Sequence, residues 1–166
     1  DQPVEVTFTV AFGDQVDADD FSLAAGGGGT LSAPTAVAGG EQYVLTIAAN
    51  TSSVDVTVTA TDDAPAIAEG NETITATIDG IVLAGGTTTT GHSLAVAGSP
   101  DNSAAVTLAD DDTSTVSVSG GGTANEDGTT TPLTFTLDND SDQPVEVTFT
   151  VAFGDQVDAD DFSLAA

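Results

Sequence analysis

The residues of this chain that could do chemistry are almost all carboxylates. It carries 27 Asp and Glu and no Lys or Arg, for a formal net charge of −27. The acids fall in clusters: DADD at 17–20, TDD at 61–63, EGNE at 69–72, DDD at 110–112 and NED at 125–127. Carboxylates brought together by folding repel one another, which raises their pKa values. They can stay ionised at neutral pH if a cation is supplied from outside, since no Lys–carboxylate or Arg–carboxylate pair can form. Hard oxygen donors select calcium or magnesium over softer metals. A merely solvating charge would occupy the outward positions of strands, and those are mostly Thr. The acids sit instead at strand ends, which reads as a metal-binding pole. Three successive Asp cannot share one face of a strand, so DDD suits a strand end that wraps around ions. The competing reading is surface acid for solvation, as in halophile proteins, with no specific site.

The same composition excludes other functions. Nucleic acid needs a basic footprint, and there is none. An anionic membrane surface would repel the chain, and no run approaches the roughly 18–20 apolar residues of a spanning helix. Without Cys there are no disulfides, thiol nucleophiles or zinc–thiolate sites. The single His92 lies in GGTTTTGHS and reads as a turn residue. Paired carboxylates can cleave glycosides, but these acids are too densely clustered and no cleft is signalled, so no enzyme is expected.

Strands must position the acids. Val4, Val6, Phe8, Val10 and Phe12 alternate with Glu5, Thr7, Thr9 and Ala11, the period-2 pattern of a half-buried strand. The pattern recurs over 54–60 and 74–78, and at Val106 and Leu108, Val116 and Val118, and Leu133, Phe135 and Leu137. Weaker strands are expected at 43–48 and 93–97. The Gly- and Ala-rich stretch 24–42 reads as a long loop or weak hairpin, and 84–103 as an extended hairpin arm. No helix is signalled. Gly clusters punctuate the strands, and the expected fold class is all-β, an antiparallel immunoglobulin-like β-sandwich.

The first 25 residues, DQPVEVTFTVAFGDQVDADDFSLAA, return letter for letter at 142–166, an offset of 141 residues. The expectation is a window on a tandem array, opening partway through one unit and closing partway through the next.

In this order the motifs resemble the Calx-β domain, an immunoglobulin-like sandwich found in sodium–calcium exchangers and large bacterial surface proteins. The resemblance runs through TANEDGTTTPLTFTLDND, the strand QPVEVTFTVAFG, the loop DADDF at 17–21, then VDVTVTATDDAPAIAEGNETITATI, and finally AAVTLADDD. It covers nearly the whole repeat; the excess over the family's usual length lies in 24–42 and 84–103. Phe21 stands where the family commonly has Tyr. In that register, 1–112 is a Calx-β-like unit lacking its first strands, and 113–166 holds the opening strands of the next repeat. The resemblance implies bound Ca2+, with ligands Asp19, Asp20, Asp62, Asp63, Glu69, Glu72, Asp110, Asp111 and Asp112. Glu126 would serve the next unit, with Asp160 and Asp161 from the second copy of the loop. Asp14 and Asp17 are read as solvated, and Glu69 as the ligand closest to a plain turn residue.

The functional expectation is a structural repeat of a calcium-stabilised extracellular filament or giant adhesin stalk at the cell surface. Its partners would be neighbouring copies of the repeat, head-to-tail, in the same chain or as strand-complementing subunits. The alternative is a calcium-dependent carbohydrate- or surface-binding adhesion module, against which the scarcity of exposed aromatics counts. Asn50, Asn71 and Asn139 lie in N-x-S/T sequons.

Overall fold

The computed structural model describes residues 2–62, 66–86, 93–125 and 128–165. Every regular element among them is a strand, and all pairings but one are antiparallel. The chain divides into two compact units: Asp1–Ala64 with Glu69–Asp111, and Pro65–Ala68 with Asp112–Ala166.

The first unit is built around β1 (Val4–Phe12). Its alternation places Phe8 and Val10 inward, with Val10 only 1% exposed. β1 lies between β5 (Gly40–Ile47) and β8 (Glu72–Leu83), and β9 (Ser103–Leu108) pairs with β8. On the other side, the short strands β3 (Gly29–Leu31) and β4 (Thr35–Val37) both pair with β5. A second, two-stranded sheet joins β2 (Phe21–Ala25) to β6 (Val56–Ala60). Leu23, Ala25, Val56 and Val58 from this small sheet pack against the core of Phe8, Val10, Val16, Phe21, Tyr43, Leu45, Ile74 and Leu108. The large sheet and the two-stranded one therefore share this core. Phe8 stacks on Tyr43 with centroids 5.6 Å apart, and Phe12 meets Phe21 edge-on at 5.7 Å. The Tyr43 hydroxyl donates to Glu41 Oε2 at 2.5 Å. Burial and then this carboxylate push the phenol well above its usual pKa, so it remains a donor.

Two local devices shape the large sheet. The β1–β8 register shifts between Thr7, opposite Gly80, and Phe8, opposite Ile78, leaving Asp79 as the extra residue of a bulge. Asp79 Oδ2 accepts from the Thr9 hydroxyl at 2.7 Å and from Gln42 Nε2 at 3.1 Å, tying β1, β5 and β8 together on the outer face. Gly40 pairs with Ala11, and a Cβ there would overlap the Val10 carbonyl.

The stretch expected as a loop or weak hairpin thus contributes two short strands, β3 and β4, to the sheet. The strand expected at 93–97 is absent: 93–98 is irregular, and Leu94 is 38% exposed with no neighbouring strand to pair it. The central part of the expected hairpin arm, with His92, lies outside the described residues.

In the second unit, β10 (Val116–Gly120) pairs with β11 (Leu133–Leu137). The two-residue strands β7 (Ile67–Ala68) and β12 (Asp140–Ser141) pair in parallel. The base of the β10–β11 pair is latched by side chains. Thr115 N–H and Asn139 N–H both donate to Asp138 Oδ1, at 2.5 and 3.0 Å, and Asn139 Nδ2 donates to the Thr113 carbonyl at 2.8 Å. The Thr115 bond, foremost, holds the Asp138 carboxyl below the usual carboxylate range. A depressed pKa stabilises the fold at pH above the unfolded value, about 3.9, and that contribution disappears as pH falls through the folded value. Titrating the Thr115 amide by NMR should show the latch intact at neutral pH and released only in strong acid. In Asp138→Asn the amide should show no such acid transition, and an unchanged profile would contradict the latch.

Candidate metal centre

Six of the sequence-predicted residues line one recess of the first unit: Asp20, Asp62, Glu69, Glu72, Asp110 and Asp111. Strand register explains why residues so distant in sequence meet. Phe21 is opposite Ala60 in the β2–β6 pair, so Asp20 and the Thr61–Asp62 segment leave the same end of that sheet. The Thr61 N–H donates to the Asp20 carbonyl at 2.8 Å, extending the pairing into the acidic residues. In the large sheet, Glu72 is opposite Leu108. The turn before β8 and the Asp run after β9 therefore also lie side by side.

A hydrogen-bonded clamp fixes that second pair. Asp110 Oδ2 accepts from the backbone N–H of Glu69 at 3.1 Å and of Gly70 at 2.7 Å, and Asn71 Oδ1 accepts from the Asp110 N–H at 3.1 Å. Gly70 has φ of +89°, a left-handed conformation that suits glycine and lets two successive N–H groups address one oxygen. Ala109 and Leu108 complete the wall. Glu72 is 8% exposed and is the buried charged residue of the described chain.

The remaining predicted residues fall elsewhere. Asp19 is exposed in its loop, where its N–H donates to Asp17 Oδ1 at 2.8 Å while the Asp17 N–H donates to Asp20 Oδ2 at 2.5 Å. Asp17, read from sequence as solvated, therefore shapes the loop that carries Asp20. Asp112, Asp160 and Asp161 belong to the second unit. Asp63 and Glu126 lie outside the described residues. Asn71, marked in the sequence only as a sequon, lies within EGNE, where its amide oxygen supports Asp110.

The donor chemistry fits a hard divalent cation: carboxylates from four chain segments line the recess, and no soft ligand is among them. The acids line the recess without closing on a common point, and no group of three among the described residues is poised as an ion cage. The residues that would hold an ion here are Asp20, Asp62, Glu69, Glu72, Asp110 and Asp111. Such an ion would supply charge compensation between the two sheets. No family model matches this chain, and neither do any curated protein or any solved structure.

Proposed function

We propose that this chain is a structural repeat of a calcium-stabilised extracellular filament or adhesin stalk, built of immunoglobulin-like, Calx-β-type sandwiches joined head-to-tail. The observation that carries the reading is the lining of one recess by six carboxylates from four segments of a chain that has no Lys or Arg. A divalent cation there joins the ends of β2 and β6 to those of β8 and β9 and so fastens one layer of the sandwich to the other. The letter-for-letter return of residues 1–25 at 142–166 supports the tandem arrangement, because repeated units of one sequence stack by one repeated contact. Reach and stiffness are then the function of the repeat, and the scarcity of exposed aromatic rings in the first unit argues against a sugar-binding face.

Calcium titration followed by calorimetry, in buffered sodium chloride, tests the reading. The expected result is saturable binding with Kd on the order of 10⁻⁴–10⁻³ M, as for extracellular modules, and weaker binding of magnesium. Heats no different from those of added sodium chloride would overturn it and leave the acids as solvating charge.

A further inference from the structure

Three side chains on the outer face of the large sheet form a triangle of a hydroxyl, a carboxylate and a carboxamide. Thr9 of β1 stands directly opposite Gln42 of β5. The Thr9 hydroxyl donates to Asp79 Oδ2 at 2.7 Å and accepts from Gln42 Nε2 at 3.5 Å, and the same Nε2 donates to the same Asp79 oxygen at 3.1 Å. Asp79 reaches this place as the extra residue of the β8 bulge, a device that re-aims a side chain. Thr9 and Gln42 are half-buried and Asp79 is exposed. None of the three lines the acidic recess.

These are the parts of an acyl transfer. A hydroxyl bonded to a carboxylate is a nucleophile beside its base. A primary carboxamide is an acyl group whose leaving group is ammonia. Strand pairing holds nucleophile and acyl group side by side, so their reaction is intramolecular and the entropy of encounter is already lost on folding. Directly opposed residues of an antiparallel pair have Cβ atoms about 4.5–5.5 Å apart. A bridge of Oγ1, Cδ and Cγ fills that span without moving a strand.

We propose that Thr9 and Gln42 condense into an ester that joins β1 to β5, with Asp79 as the proton carrier. Asp79 takes the hydroxyl proton as Oγ1 bonds to Gln42 Cδ. The adduct collapses, the Cδ–Nε2 bond breaks, and Asp79 hands the proton to Nε2, the atom it already faces. Ammonia departs and Asp79 ends ionised, as it began. The step consumes one hydroxyl and one carboxamide and needs no oxidant, metal or cofactor. Its product closes a covalent ring across 33 residues. It fixes the strand at the heart of the large sheet to its neighbour in a chain that has no cysteine for a disulfide. The inference goes beyond the filament reading and stands without it.

The test is the intact mass of the purified chain after incubation at neutral pH in chelator. The expected mass lies below that of the sequence by one ammonia. Proteolysis before aspartate should then give the peptide ending at Gly13 joined to residues 20–54, two stretches that are not contiguous. Hydroxylamine, which opens esters, should part them. Thr9→Ser keeps a hydroxyl and should keep the link. Thr9→Val and Asp79→Asn should hold the full sequence mass while still melting cooperatively. Gln42→Met, which keeps the length of the side chain but not the acyl group, serves as the second knockout if Thr9→Val does not fold. A parent chain at its full sequence mass, or one whose lost ammonia maps to an asparagine, would overturn the proposal and leave a hydrogen-bonded trio. Asp79→Asn that links as completely as the parent would overturn the role given to Asp79. The readout needs no calcium, so it succeeds or fails independently of the calcium titration.

Discussion

Calcium at about 10 mM, ten- to a hundredfold above a Kd on the order of 10⁻⁴–10⁻³ M, should raise the melting temperature of the first unit by roughly 6–20 °C over the value in chelator. A ligand that binds only the native state stabilises by RT ln(1 + [L]/Kd), about 1.4 kcal/mol at a tenfold and about 2.7 kcal/mol at a hundredfold excess over Kd. For a domain of roughly 100 residues, each kcal/mol moves the midpoint by about 4–8 °C. The physical source is the charge compensation of six carboxylates around one recess, of which Glu72 is buried. Magnesium, which demands a near-ideal octahedron and releases water reluctantly, should give a smaller shift at equal concentration. Sodium chloride at matched ionic strength separates this effect from screening of the net −27 charge. Equal shifts with all three salts would show that general screening, and not a site, is responsible.

The second large effect is expected in the core. Ile74 is 2% exposed and sits in β8 opposite Phe12 on one side and Val106 on the other. Ile74→Ala removes buried methyl and methylene groups and leaves a cavity between the layers, at a cost of about 2–5 kcal/mol. Urea unfolding followed by fluorescence of Tyr43, the chain's one tyrosine, should show a lower midpoint with an unchanged slope. Val106→Ala, at a position 38% exposed on the neighbouring strand, should cost less than half as much. A loss below about 1 kcal/mol for Ile74→Ala would mean that the two layers do not share the close-packed core described.

The strand most legible in the sequence was β1, because five apolar residues at period 2 leave no other reading of 4–12. What alternation could not give was pairing. That β1 is flanked by β5 and β8, with a bulge at Asp79, depends on contacts far apart in sequence. β3 and β4 were hidden for a similar reason. Their Gly- and Ala-rich stretch has weak strand propensity, yet Gly29 fits because it has no side chain to meet Val54. The expected strand at 93–97 failed in the opposite way, since suitable residues there have no neighbouring strand.

The acidic site was legible as clusters but not as a set. EGNE, TDD and DDD each mark a strand end, and the structure gathers residues of all three with Asp20. Spacing alone could not separate Asp20, which lines the recess, from Asp19 beside it, which does not. That choice is made by the Asp17–Asp20 hydrogen bond, a detail of loop geometry. The support given to Asp110 by Asn71 and by two N–H groups at the Gly70 turn likewise depends on the β8–β9 register.

The most direct test of the central claim is the calcium titration made site-specific. Parent chain and an Asp62→Asn/Glu72→Gln variant are titrated side by side, with Asp160→Asn/Asp161→Asn as the control from the second unit. Both pairs of substitutions remove two carboxylates, so general electrostatics change alike. The account predicts that Asp62→Asn/Glu72→Gln weakens calcium binding at least tenfold and leaves a folded protein that melts no lower than the parent in chelator, since two repelling charges are gone. It predicts near-parental affinity for the control. Equal binding by all three proteins would contradict a calcium centre at this recess.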